Sequence, residues 1–211
     1  MVDFILILVV LTNFWLLGAS RLGSSIRVVA TQGILLGLLP LAAHLHATPM
    51  RVLALAAGSI LLKGLVFPRL LFRAIREADV MREVEPFVGY VLSLLIGVLA
   101  LAFSFWMGGR LRIESPVVSA MILPVAFFSI MAGFFLIVAR KRAVNQVLGF
   151  LVLENGIYTF GIGAMQEATL LVELGVLLDV FVGVFVMGIA IFHISREFDH
   201  IETNRLSSLK D

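Results

Sequence analysis

Apolar residues in this chain fall into long continuous runs, not into alternating or short amphipathic stretches. Seven runs stand out, at 3–20, 27–46, 50–72, 86–108, 116–139, 143–165 and 169–194. A helix needs about 17–25 mostly apolar residues to cross the hydrocarbon core of a bilayer. The pattern therefore predicts an all-α polytopic membrane protein with about seven transmembrane helices, folded as a single integral membrane domain over 1–211. Two polar pieces interrupt it, a short cytoplasmic linker or surface helix at 73–85 and a tail at 195–211. Pro86 and Pro116 fall at span starts, where a missing N–H costs little. Pro68 and Pro124 fall inside spans and are expected to kink them, because each removes a backbone hydrogen bond.

Composition agrees with the pattern. Of 211 residues, 61% are hydrophobic and 14% charged, against about 45–50% and about 25% in an average soluble domain. That little charge does not cover the surface of a solvated globule. The net charge is +2 and no long basic run occurs, which excludes a nucleic-acid footprint. Cysteine is absent, so disulfides, thiolate-bound clusters and cysteine zinc sites are excluded within the chain. His44, His46, His193 and His200 are not spaced as a haem or metal site. No phosphate loop or nucleophile elbow is present, so no residue is assigned a catalytic role and no cofactor is expected in this chain. The 17 phenylalanines are spread over the spans and read as lipid-facing bulk.

Basic residues set a direction. Arg21 and Arg27 follow the first span, Arg69, Arg73, Arg76 and Arg82 the third, and Arg140, Lys141 and Arg142 the fifth; Arg196, Arg205 and Lys210 lie in the tail. Those twelve fall on one side, against Arg51, Arg110 and Arg112 on the other. The positive-inside rule then puts the N-terminus outside and the C-terminus in the cytoplasm. Gly18-Ala19-Ser20 resembles a signal-peptide cleavage site, but no Lys or Arg precedes the first span, so that span is read as retained.

Three ionisable residues lie near mid-span: Lys63, Glu154 and Asp179. Each costs on the order of 2.5–3.5 kcal/mol at a helix centre. Such groups persist when they pair, face a cavity or move ions, and burial makes carboxyl and amine groups switchable carriers. Lys63 is expected to face a polar interior near a carboxylate. Asn155 adjoins Glu154, Tyr158 follows one turn on, able to extend a hydrogen-bonded chain, and Glu173 lies four residues into the last span, on the outer side of Asp179. Thr12, Asn13, Thr31 and Gln32 read as interhelical hydrogen-bond glue, and Gly33 and Gly37 as a GxxxG packing motif.

The segment from Gln146 through Leu-Glu154-Asn155-Gly156, followed by Leu171 to Asp179, resembles hydrogenase-4 component E. This family supplies a membrane subunit of formate hydrogenlyase and group 4 hydrogenase complexes. The Lys63-Gly-Leu-Val-Phe-Pro68 stretch is similar to the same family's Lys-plus-Pro span, and the likeness runs nearly the length of the chain. Residues 143–194 also resemble the K subunit of respiratory complex I, whose last two helices carry carboxylates of a proton path. Asp179 matches the second of those; the first corresponds to Leu151, with Glu154 three residues on.

The resemblance implies a prokaryotic inner-membrane complex with antiporter-like subunits and a peripheral hydrogenase or dehydrogenase arm. Nickel–iron and iron–sulfur centres then belong to partner subunits. The expected function is a non-redox subunit in which Asp179, Glu154 and Lys63 relay protons or cations, with Glu173, Tyr158 and Asn155 as neighbours. The alternative is a subunit of a multisubunit cation/proton antiporter or a standalone secondary transporter. The polar positions of spans 1–3 do not repeat in 4–6, whereas a standalone transporter often shows such halves.

Overall fold

The computed structural model describes residues 1–43, 50–77, 87–111 and 119–164, and within these the chain is helical. Helices α1 (Val2–Gly18), α2 (Leu22–Ala43), α3 (Met50–Leu61), α4 (Phe67–Glu77), α5 (Tyr90–Gly108), α6 (Ile122–Ala139) and α7 (Ala143–Ala164) follow in order. A single π turn, Leu62–Val66, joins α3 to α4 without a break. These helices fall on the first six expected spans. Three are long and apolar enough to cross a membrane: Leu22–Ala42, Tyr90–Gly108 and Ile122–Ala139. The seventh span at 169–194 and the tail at 195–211 lie outside the described residues, as do Pro86, Pro116 and all four histidines.

Spans consecutive in the chain run antiparallel, and side-chain contacts fix which ends share a side. Arg140, after α6, donates from Nη2 to the Leu17 carbonyl at the end of α1 (2.6 Å). The guanidinium of Arg27 on α2 lies 6.0 Å from the Phe72 ring on α4. The amide of Phe87, before α5, donates to the Ala139 carbonyl. At the opposite end, Gly108 of α5 abuts Pro124 of α6, and Gly163 of α7 abuts Ile122. Arg27, Arg73, Arg76, Arg140 and Lys141 thus gather at one end of the bundle.

The core is divided in two. One apolar cluster includes Leu17, Ile26, Phe67, Leu71, Phe128, Leu136 and Val147. The other includes Leu6, Val9, Leu36, Leu39, Ile122 and Val125. Helices α6 and α7 are the tightest pair. A Cβ on Gly133 would stand 2.5 Å from Leu153 N, and one on Gly156 would stand 2.7 Å from Ile130 N. Gly149, Gly156 and Gly163 recur every seven residues on α7, opposite Ala126 and Gly133 on α6. Small residues at that period let two backbones touch along a shallow crossing. Helix α5 turns a small-residue face, Ser93, Gly97, Ala100 and Ser104, to the bundle. Its other face exposes Val91, Leu95, Leu99 and Phe103, the chemistry of a surface against hydrocarbon.

Several expectations change. Pro124 sits in the first turn of α6, where no intrahelical donor is lost. Pro68 follows the π turn: it has no N–H for the Gly64 carbonyl, its ring crowds that carbonyl, and Phe67 N donates to Leu62 O instead. The polar piece 73–85, expected as a linker or surface helix, begins inside α4, which continues to Glu77; residues 78–85 lie outside the described residues. Phenylalanine is not only lipid-facing bulk, since Phe67 and Phe128 are buried and Phe14 packs on Phe128 at 5.2 Å between centroids.

Candidate functional site

Between the two apolar clusters lies one layer of buried polar side chains. Asn13 of α1, Gln32 of α2, Lys63 of the π turn, Ser129 of α6, and Glu154 and Asn155 of α7 all contribute. Gln32 is ten residues into α2, Ser129 ten residues before the end of α6, and Glu154 eleven residues into α7. At about 1.5 Å per residue the layer stands roughly 15–17 Å from the basic end, near the middle of a bilayer about 30 Å thick.

Lys63 Nζ lies 2.7 Å from Glu154 Oε1 and forms an ion pair with it. It also donates to Asn155 Oδ1 at 3.0 Å. The relative exposure of the two side chains is 8% for Lys63 and 2% for Glu154, so the pair is removed from water. Asn155 Nδ2 donates to Gln32 Oε1 (3.2 Å), Gln32 Nε2 to Asn13 Oδ1 (2.8 Å), and Asn13 Nδ2 to Ser129 Oγ (2.8 Å). A continuous hydrogen-bonded chain thus joins α7, α2, α1 and α6 to the ion pair. The Tyr158 ring lies 5.7 Å from Lys63 Nζ, so it is the aromatic face of Tyr158 that meets the ammonium.

Glu154 uses only one of its oxygens. Oε2 is buried and has no hydrogen-bond partner among the described residues. A carboxylate oxygen without a donor in low dielectric is costly.

Local structure brings Lys63 here. The π turn widens the helix where Pro68 cannot donate, and Lys63 is its buried residue. Single π turns recur at functional sites. Gly33 makes room on α2: a Cβ there would stand 2.6 Å from Lys63 Cβ, and one on Gly37 would stand 2.5 Å from Ile60 Cγ1. The GxxxG motif therefore packs α2 against α3 and the π turn, with Lys63 itself seated on the first glycine.

Of the residues singled out by sequence, Lys63, Glu154, Asn155 and Tyr158 come together. Asp179 and Glu173 lie outside the described residues. The four polar residues of the first two spans divide. Asn13 and Gln32 do bridge helices, whereas Thr12 and Thr31 donate to Val9 O and Arg27 O within their own helices. Ser129 is a lone serine in an apolar run, a pattern that carries no signal of its place in the layer. Arg140, one of the basic residues that follow the fifth span, is 1% exposed, with its guanidinium 4.7 Å from the Tyr90 ring. No group of three or more potential metal-binding side chains occurs among the described residues.

No family model and no solved structure matches the chain. It is similar to "Uncharacterized protein Rv0085" of Mycobacterium tuberculosis (strain ATCC 25618 / H37Rv). The two are 31% identical over 212 residues, spanning 100% of this chain and 96% of the relative.

Proposed function

This chain belongs to the same family as the Mycobacterium tuberculosis protein Rv0085, and we propose that it is a non-redox membrane subunit of a complex I-like hydrogenase or formate hydrogenlyase assembly. In this reading Lys63 and Glu154 carry protons at mid-membrane while partner subunits transfer electrons. The observation that carries it is the buried Lys63–Glu154 pair with a free oxygen, Oε2, sealed above and below by apolar clusters. A pair needed only to pin helices gains nothing from leaving one oxygen without a donor.

The chemistry is simple. A proton that reaches Oε2 neutralises the carboxylate and loosens its hold on Lys63 Nζ. When the proton leaves, the ion pair reforms. Each state is sensitive to charge in its surroundings, because Coulomb energies are large where water is excluded. Asp179 is the next carrier in this scheme, with Glu173 toward the outer surface. The N-terminus faces outward and the basic end faces the cytoplasm of a prokaryotic cell. Nickel–iron and iron–sulfur chemistry resides in the peripheral arm.

The test is gentle detergent extraction through a tag on the C-terminal tail, followed by mass spectrometry of the co-purifying chains. Iron–sulfur and nickel–iron subunits together with antiporter-like subunits are expected. A homo-oligomer with no partner would overturn the reading. In vesicles of the purified complex, Asp179→Asn and Glu154→Gln should abolish most proton uptake while electron transfer to artificial acceptors in detergent persists.

A further inference from the structure

The hydrogen bonds of the polar layer all run in one sense, and the ammonium sets it. Lys63 Nζ can only donate, so Asn155 presents Oδ1 to it at 3.0 Å. That leaves Asn155 Nδ2 to be accepted by Gln32 Oε1. Gln32 Nε2 is in turn accepted by Asn13 Oδ1, and Asn13 Nδ2 by Ser129 Oγ. Three side-chain amides from three helices therefore point their carbonyl ends toward Lys63. Aligned dipoles in low dielectric reinforce one another, and these favour positive charge on Lys63 and, through it, negative charge on Glu154.

Amides neither take up nor release protons near neutrality. The chain toward α1 and α6 is thus no proton path, although it is continuous. It does fix Asn155: without Gln32, the Asn155 side chain would be held only by Lys63 and could swing away from it.

We propose that Gln32 and Asn13 are positioning residues of the Lys63–Glu154 pair: anchored on Ser129, their aligned amides hold Asn155 Oδ1 against the ammonium and keep the pair ionised, leaving Glu154 Oε2 as the atom open to exchange. The use of that exchange for proton transport rests on the reading above; the ordering of the amides does not.

Infrared spectroscopy of the full-length protein in detergent tests this at neutral pH, with Glu154→Gln identifying the protonated-carboxyl band of Glu154. Gln32→Met keeps length and bulk but removes both hydrogen-bonding ends. It should raise that band about threefold, given the strength of hydrogen bonds that serve charged groups. Asn13→Leu, one link further from Lys63, should raise it less. Lys63→Met should raise it at least as much as Gln32→Met, and adding Gln32→Met to Lys63→Met should change nothing further. A wild-type band in both Gln32→Met and Asn13→Leu, with a raised band in Lys63→Met, would overturn the positioning role. A raised band in Gln32→Met combined with full proton uptake in Glu154→Gln vesicles would instead overturn the transport reading and leave the positioning role standing.

Discussion

Lys63 and Glu154, ninety-one positions apart in the chain, meet at 2.7 Å in the middle of the helix bundle. Removing one partner of a buried ion pair leaves the other charge uncompensated and typically costs about 3–5 kcal/mol. Lys63→Met alone should lose that much stability in detergent. The double variant Lys63→Met/Glu154→Gln should recover more than half of it, because two neutral groups then share the site. Thermal melting of the two single variants and the double variant reads the coupling. Strictly additive losses would mean that the two residues do not interact.

Gly33 is predicted to be intolerant of any side chain. Its missing Cβ is the space in which the Lys63 stem lies, and the approach of 2.6 Å cannot be accommodated without shifting α2. Gly33→Ala should cost about 1–3 kcal/mol, as overpacking does. Gly58→Ala serves as its control: among the described residues nothing stands within 4 Å of the Cβ it would add, and alanine is favoured over glycine in a helix by up to about 1 kcal/mol. Comparing the melting temperatures of the two variants checks both signs at once.

Substitution at Gly156 should separate α6 from α7. Here the obstacle is backbone, with Ile130 N at 2.7 Å and Ala126 O at 3.0 Å, so a neighbouring rotamer cannot yield. Gly156→Val should destabilise by more than about 3 kcal/mol, above the usual range for overpacking, and should displace the adjacent Glu154 and Asn155. The yield of monodisperse protein after extraction is the measurement.

Arg140 ties three helix ends together through the Leu17 carbonyl and the Tyr90 ring. Arg140→Lys keeps the charge but loses the planar group over the ring, a loss of about 0.5–2 kcal/mol. Arg140→Leu also leaves the end of α1 without its donor, adding about 1–3 kcal/mol. Melting temperatures should fall in the order wild type, Arg140→Lys, Arg140→Leu. Equal stability of all three would place the guanidinium in water.

Much of the helical plan was legible in the linear order of residues. Hydrocarbon demands long apolar runs and penalises every charge left in them, so the runs around α1, α2, α5, α6 and α7 announce themselves, as do Lys63 and Glu154. What only the tertiary structure decided is the register between helices. Thr12 and Asn13 are neighbours in one span, yet Thr12 bonds its own helix and Asn13 a residue 116 positions away. Either choice satisfies a small polar group, and the helix that packs alongside determines which is made. The same holds for Arg140, a loop cation by position that becomes a buried tie because the ends of α1, α5 and α6 converge on it. Gly33 illustrates the division most directly: its spacing from Gly37 announces a close helix contact, but which helix, and that the group resting on it is Lys63, depends on contacts between distant parts of the chain, which no local pattern encodes.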